Sequence, residues 1–511
     1  MTHDAESYLV PCALLGSLLS LAIGGAIVHR HAGLFSFLSS RKSQFHHAPE
    51  SKGIPRLGGL CLVASFLAAG LLALWLHEFK PMASREFWVI LGSSLLIFLV
   101  GIVDDIRPLG AKKKLLAQIG VSCLVFYGGL QINTLKNPFT QEGLELGTLA
   151  LPITVLWLVA ITNLINLIDG MDGLAGGIGV FLMALLAWVS MTTANGFYTL
   201  VCVGTLGGLL GFLRYNFPPA RLYLGDGGAY FLGFLIGLLS IQTSNKGTVI
   251  AGLAAPAIAL ALPIIDTTLA ILRRGFKGLP LFRPDLDHIH HRLMRKGFSR
   301  TRAVLVLYAF SVVALSFAIG VFLFSGQHMP IFAGMAAMAL IALLSHWGLI
   351  PKLRSGFALA QSYWRLRSHS RYALSLSQWL QLEAERCRSV DCLWKEYEFV
   401  TRKLQFCEVH LRLRGEQRTW RLTQGTELPL RRSHHFPGER EMSLEFFSRP
   451  DAMTLHQFEH VSELAAEAWL QAVARWEQAK QKKAAFTSEA ADPTRPSPPT
   501  SPVGQMVQVG T

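Results

Sequence analysis

Long, nearly uninterrupted apolar runs constrain this 511-residue chain more than any other feature of its sequence. A run of about 17–25 mostly apolar residues is what a helix needs to cross the hydrocarbon core of a bilayer. Eleven such runs occur, at approximately 8–28, 57–76, 87–103, 115–131, 150–166, 174–193, 197–213, 228–243, 248–272, 303–324 and 329–349. Only 39 of the first 350 residues are Asp, Glu, Lys or Arg, whereas 41 of the last 161 are. The first proportion is under half the roughly 25% usual for globular domains and the second matches it. A single soluble fold and a wholly disordered chain are both excluded. The sequence predicts an all-α polytopic membrane domain with about 11 transmembrane helices over residues 1–350. A small cytoplasmic α+β domain over 351–485 and a disordered tail over 486–511 follow.

The seven cysteines show no paired metal-type spacing, and no disulfide framework is expected. Asp4 and Glu6 precede the first apolar run without any Lys or Arg, and no small-residue cleavage site ends it, so it reads as a retained span. Orientation follows from Lys and Arg, which are retained in cytoplasmic loops. With the N-terminus outside, the inside loops carry 20 basic residues, and the outside ones only Lys80, Arg85, Lys136 and Lys246. The C-terminal domain is then cytoplasmic. The net charge of +14 is accounted for largely by this bias, and no nucleic-acid partner is expected.

Ionisable groups beside a membrane core are costly, so those that remain are functional candidates. Asp104 and Asp105 end the third run in VDDIRPLGAKKK, Asp169 and Asp172 follow the fifth in NLINLIDGMDGLAGG, and Asp226 lies in LYLGDGGAYF. FRPDLDHIHHRL supplies Asp285, Asp287, His288, His290 and His291 before the tenth. All fall on the predicted cytoplasmic face, although that face was assigned from Lys and Arg alone. Adjacent carboxylates repel unless a cation lies beside them. Magnesium suits a sparse set of carboxylates, because it keeps waters and takes substrate phosphate oxygens as further ligands. Lys112, Lys113 and Lys114 can contact phosphates, and the Gly-rich turns let backbone approach a ligand. Each motif also has a plainer reading: a solvated helix end, a turn, a topology signal, or, for HIHH, a solvated charge patch. Asp266, in ALPIIDTTLAILRR, is read as structural, capping the helix broken at Pro263 or pairing with Arg273 or Arg274.

Five motifs in one order, PRLGG, VDDIRPLGAKKKLLAQ, NLINLIDGMDGLAGG, NFPPARLYLGDGGAYFLG and RPDLDHIHHRL, span about residues 50–300. Together they closely resemble the polyprenyl-phosphate N-acetylhexosamine-1-phosphate transferases. The resemblance implies transfer of a sugar 1-phosphate from a UDP-N-acetylhexosamine to undecaprenyl phosphate, releasing UMP, in the bacterial inner membrane. It implies a magnesium cofactor, with manganese as a substitute, and a homodimer. Asp226, Asn166 and Asp105 then resemble the metal's holders. Asp104 resembles the group that orients or deprotonates the lipid phosphate, with a two-step route through an Asp nucleophile as the competing mechanism. Lys114 resembles a diphosphate contact, Asp169 and Asp172 nucleoside-side carboxylates, and His288, His290 and His291 the loop that binds the nucleotide sugar's phosphates. HIHH followed by Arg292 favours a simple N-acetylhexosamine donor over the muramoyl-pentapeptide donor of peptidoglycan synthesis.

A transporter with Asp residues along an ion path would spread them through the bilayer depth, which this chain does not. A membrane-anchored scaffold would leave the five motifs idle. In the C-terminal region, 378–406 reads as one or two amphipathic helices, 409–414 and 418–422 as a hairpin, 443–449 as a third strand and 453–483 as a helix. It shows no catalytic constellation, and regulation or docking of a protein partner is its expected role.

Overall fold

The computed structural model describes residues 7–34, 53–76, 85–136, 143–193, 195–244, 256–280, 288–323, 329–346, 353–413, 416–422, 430–436 and 442–490. Tertiary contacts divide the chain into two compact units, Met1–Phe276 with Pro280–Ser362, and Lys277–Leu279 with Tyr363–Thr511.

The first unit is built from helices α1 (Leu9–Leu34), α2 (Gly58–Trp75), α3 (Arg85–Ile106), α4 (Ala111–Tyr127), α5 (Ala150–Ile168) and α6 (Leu174–Thr192). α7 (Gly196–Asn216), α8 (Gly225–Ser244), α9 (Ala261–Lys277), the short α10 (Ile289–Arg295), α11 (Arg300–Leu323) and α12 (Met329–His346) complete it. Seven of these, α1, α2, α3, α5, α6, α7 and α11, are long and apolar enough to cross a membrane. Large apolar side chains on their outer faces are exposed, Leu71 by 66% and Leu156 by 67%, which only a lipid surround makes inexpensive. The protein is a multi-pass membrane protein. Helices also occupy much of the other four predicted spans, as α4, α8, α9 and α12, while residues 248–255 of the ninth lie outside the described residues. One departure from an all-helical front is a two-stranded antiparallel ribbon of β1 (Thr134–Lys136) and β2 (Gly143–Glu145).

α8 is the centre of the bundle. Its residues 227–243 are all buried, because a helix apolar around its whole circumference must be enclosed by other helices. Phe231 meets Phe66 of α2 and Phe98 of α3 edge-on, with ring centroids at 5.6 and 6.2 Å. Trp157 of α5 donates to Ser240 Oγ of α8 at 2.9 Å, and Asn163 of α5 donates to Gln118 of α4 at 2.6 Å. Such polar pairs hold membrane helices together where no hydrophobic drive exists between them. The N-terminal end of α8 is seated by backbone contact: Gly58 N–H donates to Tyr223 O, Gly59 N–H to Leu224 O, and Tyr223 N–H to Pro55 O. At that crossing a Cβ on Gly59 would lie 2.6 Å from Gly228 Cα, so glycine is required.

The second unit has a four-stranded antiparallel sheet in the order β4 (Glu416–Arg421), β3 (Glu408–Leu413), β6 (Met442–Ser448), β5 (Leu430–Phe436). α13 (Leu353–Arg386) from Tyr363 onward, α14 (Val390–Lys403) and α15 (Leu455–Ala490) belong with it. The predicted hairpin and third strand are present, pairing Leu413 with Glu416 and Leu411 with Leu444. β5 was not anticipated, since LRRSHHF lacks clear apolar alternation. α15 runs to Ala490, into the segment expected to open the disordered tail, and residues 491–511 lie outside the described residues. The core of this unit is aromatic: Trp469 is fully buried with ring centroids 5.6 Å from Trp394 and 4.9 Å from Tyr397.

Replacing Gly59 by Val should overpack the α2–α8 crossing at a cost of about 1–3 kcal/mol. The measurement is the thermal midpoint of the purified protein in detergent. It should fall for Gly59→Val and stay for Gly92→Val, where a Cβ would meet nothing within 4 Å.

Candidate active site

The ends of four helices bring the acidic motifs together. Asp104 and Asp105 lie in the last turn of α3, Lys114 in the first turn of α4, Asn166 in the last turn of α5 and Asp226 in the first turn of α8. A carboxylate at a helix N-terminus, as at Asp226, is favoured by the helix dipole and by the unpaired amides there. Lys112, Lys113 and Lys114 lie on α4 itself instead of in the loop before it, which points Lys114 back across the end of α3.

Lys114 is the link. Its ammonium pairs with Asp104, which is fully buried, and reaches Asp226 Oδ2 at 3.4 Å. Asp104 Oδ1 accepts the Leu109 N–H at 2.7 Å, and Asp105 Oδ2, also buried, accepts the Gly227 N–H at 3.0 Å. Asn166 donates to Asp226 Oδ1 at 3.3 Å. Gly225 makes the turn into α8 with φ of 78°, and a Cβ there would lie 2.9 Å from Asp105 Oδ2, so the turn needs glycine twice over.

Asp169 stands just beyond α5 as its C-terminal cap residue. Burial raises its pKa well above the ordinary carboxylate value, and the charges of Asp226, Asp105 and Asp172 raise it further while Arg56 opposes them. Arg56 of the PRLGG motif therefore belongs to the site's field, a role that the motif pattern alone does not signal. Asp172 Oδ2 accepts the Ala220 N–H at 3.1 Å, which ties the loop after α5 to the one before α8. A second unassigned residue, Asn216, locks the same two loops, accepting from Gly173 N–H at 3.0 Å and donating to Leu222 O at 2.9 Å. Tyr308 of α11 donates to Gly173 O at 2.6 Å, closing the IDGMDG turn from the other side.

The histidine motif stands at the start of α10, with His288 as its N-terminal cap residue. His288 is almost buried, His291 is half-buried, and the His290 side chain, like Asp285 and Asp287, lies outside the described residues. Asp266 is neither the cap of its own helix nor paired with Arg273 or Arg274. It lies within α9, and its oxygens are taken by His288 Nδ1 and the Ile289 N–H, both at 3.0 Å. Sequence spacing gave no signal for this contact across 22 positions.

Among the described residues no three His, Cys, Asp or Glu side chains form a closed metal cage. What the described residues offer is a partial set of hard oxygens: Asp226 shares Lys114 with Asp104 and accepts from Asn166, whose amide presents its oxygen once turned by 180°, and Asp105 is held beside them on the Gly227 N–H. Magnesium, which completes its octahedron with waters and substrate oxygens, fits such a set; zinc and calcium, which want fuller protein cages, do not.

Residues 87–244 match the family model of glycosyl transferase family 4. The chain is 37% identical over 305 residues to a probable undecaprenyl-phosphate N-acetylglucosaminyl 1-phosphate transferase of Bacillus subtilis, covering 60% of this chain and 83% of that one. This chain belongs to glycosyl transferase family 4. It is 30% identical to a decaprenyl-phosphate N-acetylglucosaminephosphotransferase of Mycolicibacterium smegmatis, over 59% of this chain and 79% of that one. It is 29% identical to a phospho-N-acetylmuramoyl-pentapeptide-transferase of Clostridium beijerinckii, over 60% and 94%. This family 4 protein is a membrane-embedded sugar-phosphate transferase, and the matched segment contains Asp104, Asp105, Lys114, Asn166, Asp169, Asp172 and Asp226.

Asn216→Leu should leave Gly173 N–H and Leu222 O unpaired at a cost of about 1–3 kcal/mol for each buried group. Thermal unfolding in detergent is expected at lower temperature, with a raised KM for the nucleotide substrate because the loop bearing Asp169 and Asp172 loosens.

Proposed function

We propose that this transferase moves N-acetylglucosamine 1-phosphate from UDP-N-acetylglucosamine to undecaprenyl phosphate, releasing UMP and starting a lipid-linked cell-surface polysaccharide. The observation that carries the reading is the convergence of Asp104, Asp105, Lys114, Asn166 and Asp226 at the ends of membrane helices. There a phosphate anchored by its lipid tail can meet a water-soluble nucleotide. Relatives named for an N-acetylglucosamine phosphate reaction support the choice of sugar. The excess of Lys and Arg in alternate loops supports a plasma-membrane topology with the N-terminus outside and the site and C-terminal unit in the cytoplasm.

In this reading an oxygen of the lipid phosphate attacks the sugar-bearing phosphorus of the donor, and the bond from that phosphorus to the bridging oxygen breaks, UMP leaving with the electron pair. Phosphoryl transfer of this kind depends on positioning and on neutralising phosphate charge. Lys114 leaves its carboxylate partners to contact the diphosphate. Asp104 orients the lipid phosphate and accepts its proton when one is present. Asp169 and Asp172 face the nucleoside, and His288, His290 and His291 receive the donor's phosphates. Magnesium held by Asp226, Asn166 and Asp105 would supply further charge neutralisation at the diphosphate. The C-terminal unit is assigned to docking a protein partner or to regulation, and a homodimer is the expected assembly.

Purified protein in detergent, given undecaprenyl phosphate and a panel of UDP-sugars, should release UMP with UDP-N-acetylglucosamine and stop in EDTA. Turnover only with the muramoyl-pentapeptide donor, or undiminished turnover in EDTA, would contradict the proposal. Asp226→Asn should lower kcat by on the order of 100-fold or more while the thermal midpoint holds. Deleting residues from about 355 onward should leave turnover in detergent and reduce polymer output in cells; unchanged output removes the regulatory assignment.

A further inference from the structure

Two thiols of the C-terminal unit lie side by side. Cys387 is the first residue beyond α13 and Cys392 the third of α14, and the Cys392 thiol donates to Cys387 Sγ at 3.0 Å. The reaction scheme above gives neither a part. Their backbones are held: Cys387 N–H donates to Glu383 O at 3.1 Å, and Trp476 Nε1 of α15 donates to Cys387 O at 3.0 Å. The Cys392 N–H donates at 3.2 Å to Oγ of Ser389, the N-terminal cap of α14. A disulfide asks for about 2.0 Å between its sulfurs, so these two need close by only about 1 Å, which their side-chain torsions can supply with the turn left as it is.

The two thiols are unequal. Cys387 is 8% exposed and belongs to the core of the unit, whereas Cys392 is half-buried. Burial raises the pKa of Cys387 above the ordinary thiol value, and Cys392, Glu396 and Glu383 beside it raise it further. Cys387 is therefore a shielded, protonated thiol at neutral pH, and Cys392 is the sulfur that a soluble oxidant meets first.

We propose that Cys387 and Cys392 form a modification site at which a hydroperoxide makes a reversible intramolecular disulfide. In the first step the Cys392 sulfur attacks one peroxide oxygen and the O–O bond breaks, leaving a sulfenic acid and releasing water. In the second the Cys387 sulfur attacks the Cys392 sulfur, the S–O bond breaks, and the hydroxyl leaves with the Cys387 proton as a second water. Two thiols are thus oxidised by two electrons while one hydrogen peroxide is reduced to two waters. On the cytoplasmic side proposed above, cellular thiols would reverse the bond by exchange. The plainer account is that both residues are inert small apolar groups filling a corner of the core.

The test treats the full-length protein in detergent with increasing hydrogen peroxide, alkylates the remaining thiols in denaturant and digests with trypsin without reduction. Cleavage after Arg388 falls between the two cysteines, so the bridge appears as peptide 387–388 joined to peptide 389–395. This species should replace most of the alkylated Cys392 at peroxide levels that leave Cys407, also half-buried, alkylated. Dithiothreitol should abolish it. Cys392→Ser should leave Cys387 alkylated after the same treatment, and Cys387→Ser should carry Cys392 on to the sulfinic acid. Three results on the parent protein would each overturn the proposal: both thiols surviving peroxide as well as Cys407 does, Cys392 ending as sulfinic acid beside an intact Cys387, or either thiol bridged to Cys407 instead. Oxidation of Cys387 as readily in Cys392→Ser as in the parent overturns the assignment of Cys392 as the first sulfur attacked. The deciding readout is made on the parent protein, so it does not depend on how either variant folds, and it does not depend on transferase activity.

Discussion

The structure turns on how three carboxylates, Asp104, Asp105 and Asp226, are kept at one end of an apolar helix bundle. An Asp left to itself near the centre of a membrane helix costs about 2.5–3.5 kcal/mol on insertion scales. Three of them would consume much of the roughly 5–15 kcal/mol by which a folded protein is stable. The chain meets this in two ways. It places each at a helix end, where unpaired amides and the aqueous boundary are near, and it gives each a partner of its own: Leu109 N–H and Lys114 for Asp104, Gly227 N–H for Asp105, Asn166 and Lys114 for Asp226. Two of these three arrangements require α8 to lie where it does. The central helix is the beam on which the site is mounted, and its apolar circumference and its acidic first turn are parts of one arrangement.

That dependence explains why the glycines are where they are. Gly59 and Gly228 let α2 and α8 touch backbone to backbone, and Gly225 turns the chain so that α8 begins within hydrogen-bonding reach of Asp105. Fixing a helix end by direct backbone contact, with Tyr223 and Leu224 carbonyls bonded to Gly58 and Gly59, leaves less freedom than side-chain packing alone. Phosphoryl transfer, which asks mainly for correct placement of charge, benefits from such rigidity.

Much of this could be read before any coordinates. Helix placement followed from the apolar runs, and the acidic cluster from the fact that Asp104, Asp105, Asp169 and Asp226 all follow or precede such runs on one side. The sequence could not order the site internally. That Lys114 reaches two carboxylates follows from α4 starting before its lysines, a boundary that hydropathy misplaces because a basic first turn looks like loop. Arg56 and Asn216 were hidden because their roles depend on segments far away in sequence, PRLGG against YLGDGG and one loop against another. Asp266 was misassigned for the same reason: beside Pro263 it looks like a local cap, and its partner His288 is brought to it only by the packing of α10. In the C-terminal unit β5 escaped because an edge strand with LRRSHHF alternates too weakly to stand out.

The pairing of Lys114 with Asp104 bears on how the protein is made. The two residues lie ten positions apart at neighbouring helix ends, whereas Asp226 joins the same ammonium across 112 positions. α3 and α4 precede α8 in the chain, so Lys114 can pair with Asp104 before α8 is synthesised. Between those two helices Asp104 already has its cation, whereas Asp105 meets the Gly227 N–H only once α8 is in place. The Lys114 ammonium would serve first as an internal escort for Asp104 and only afterwards be shared with Asp226.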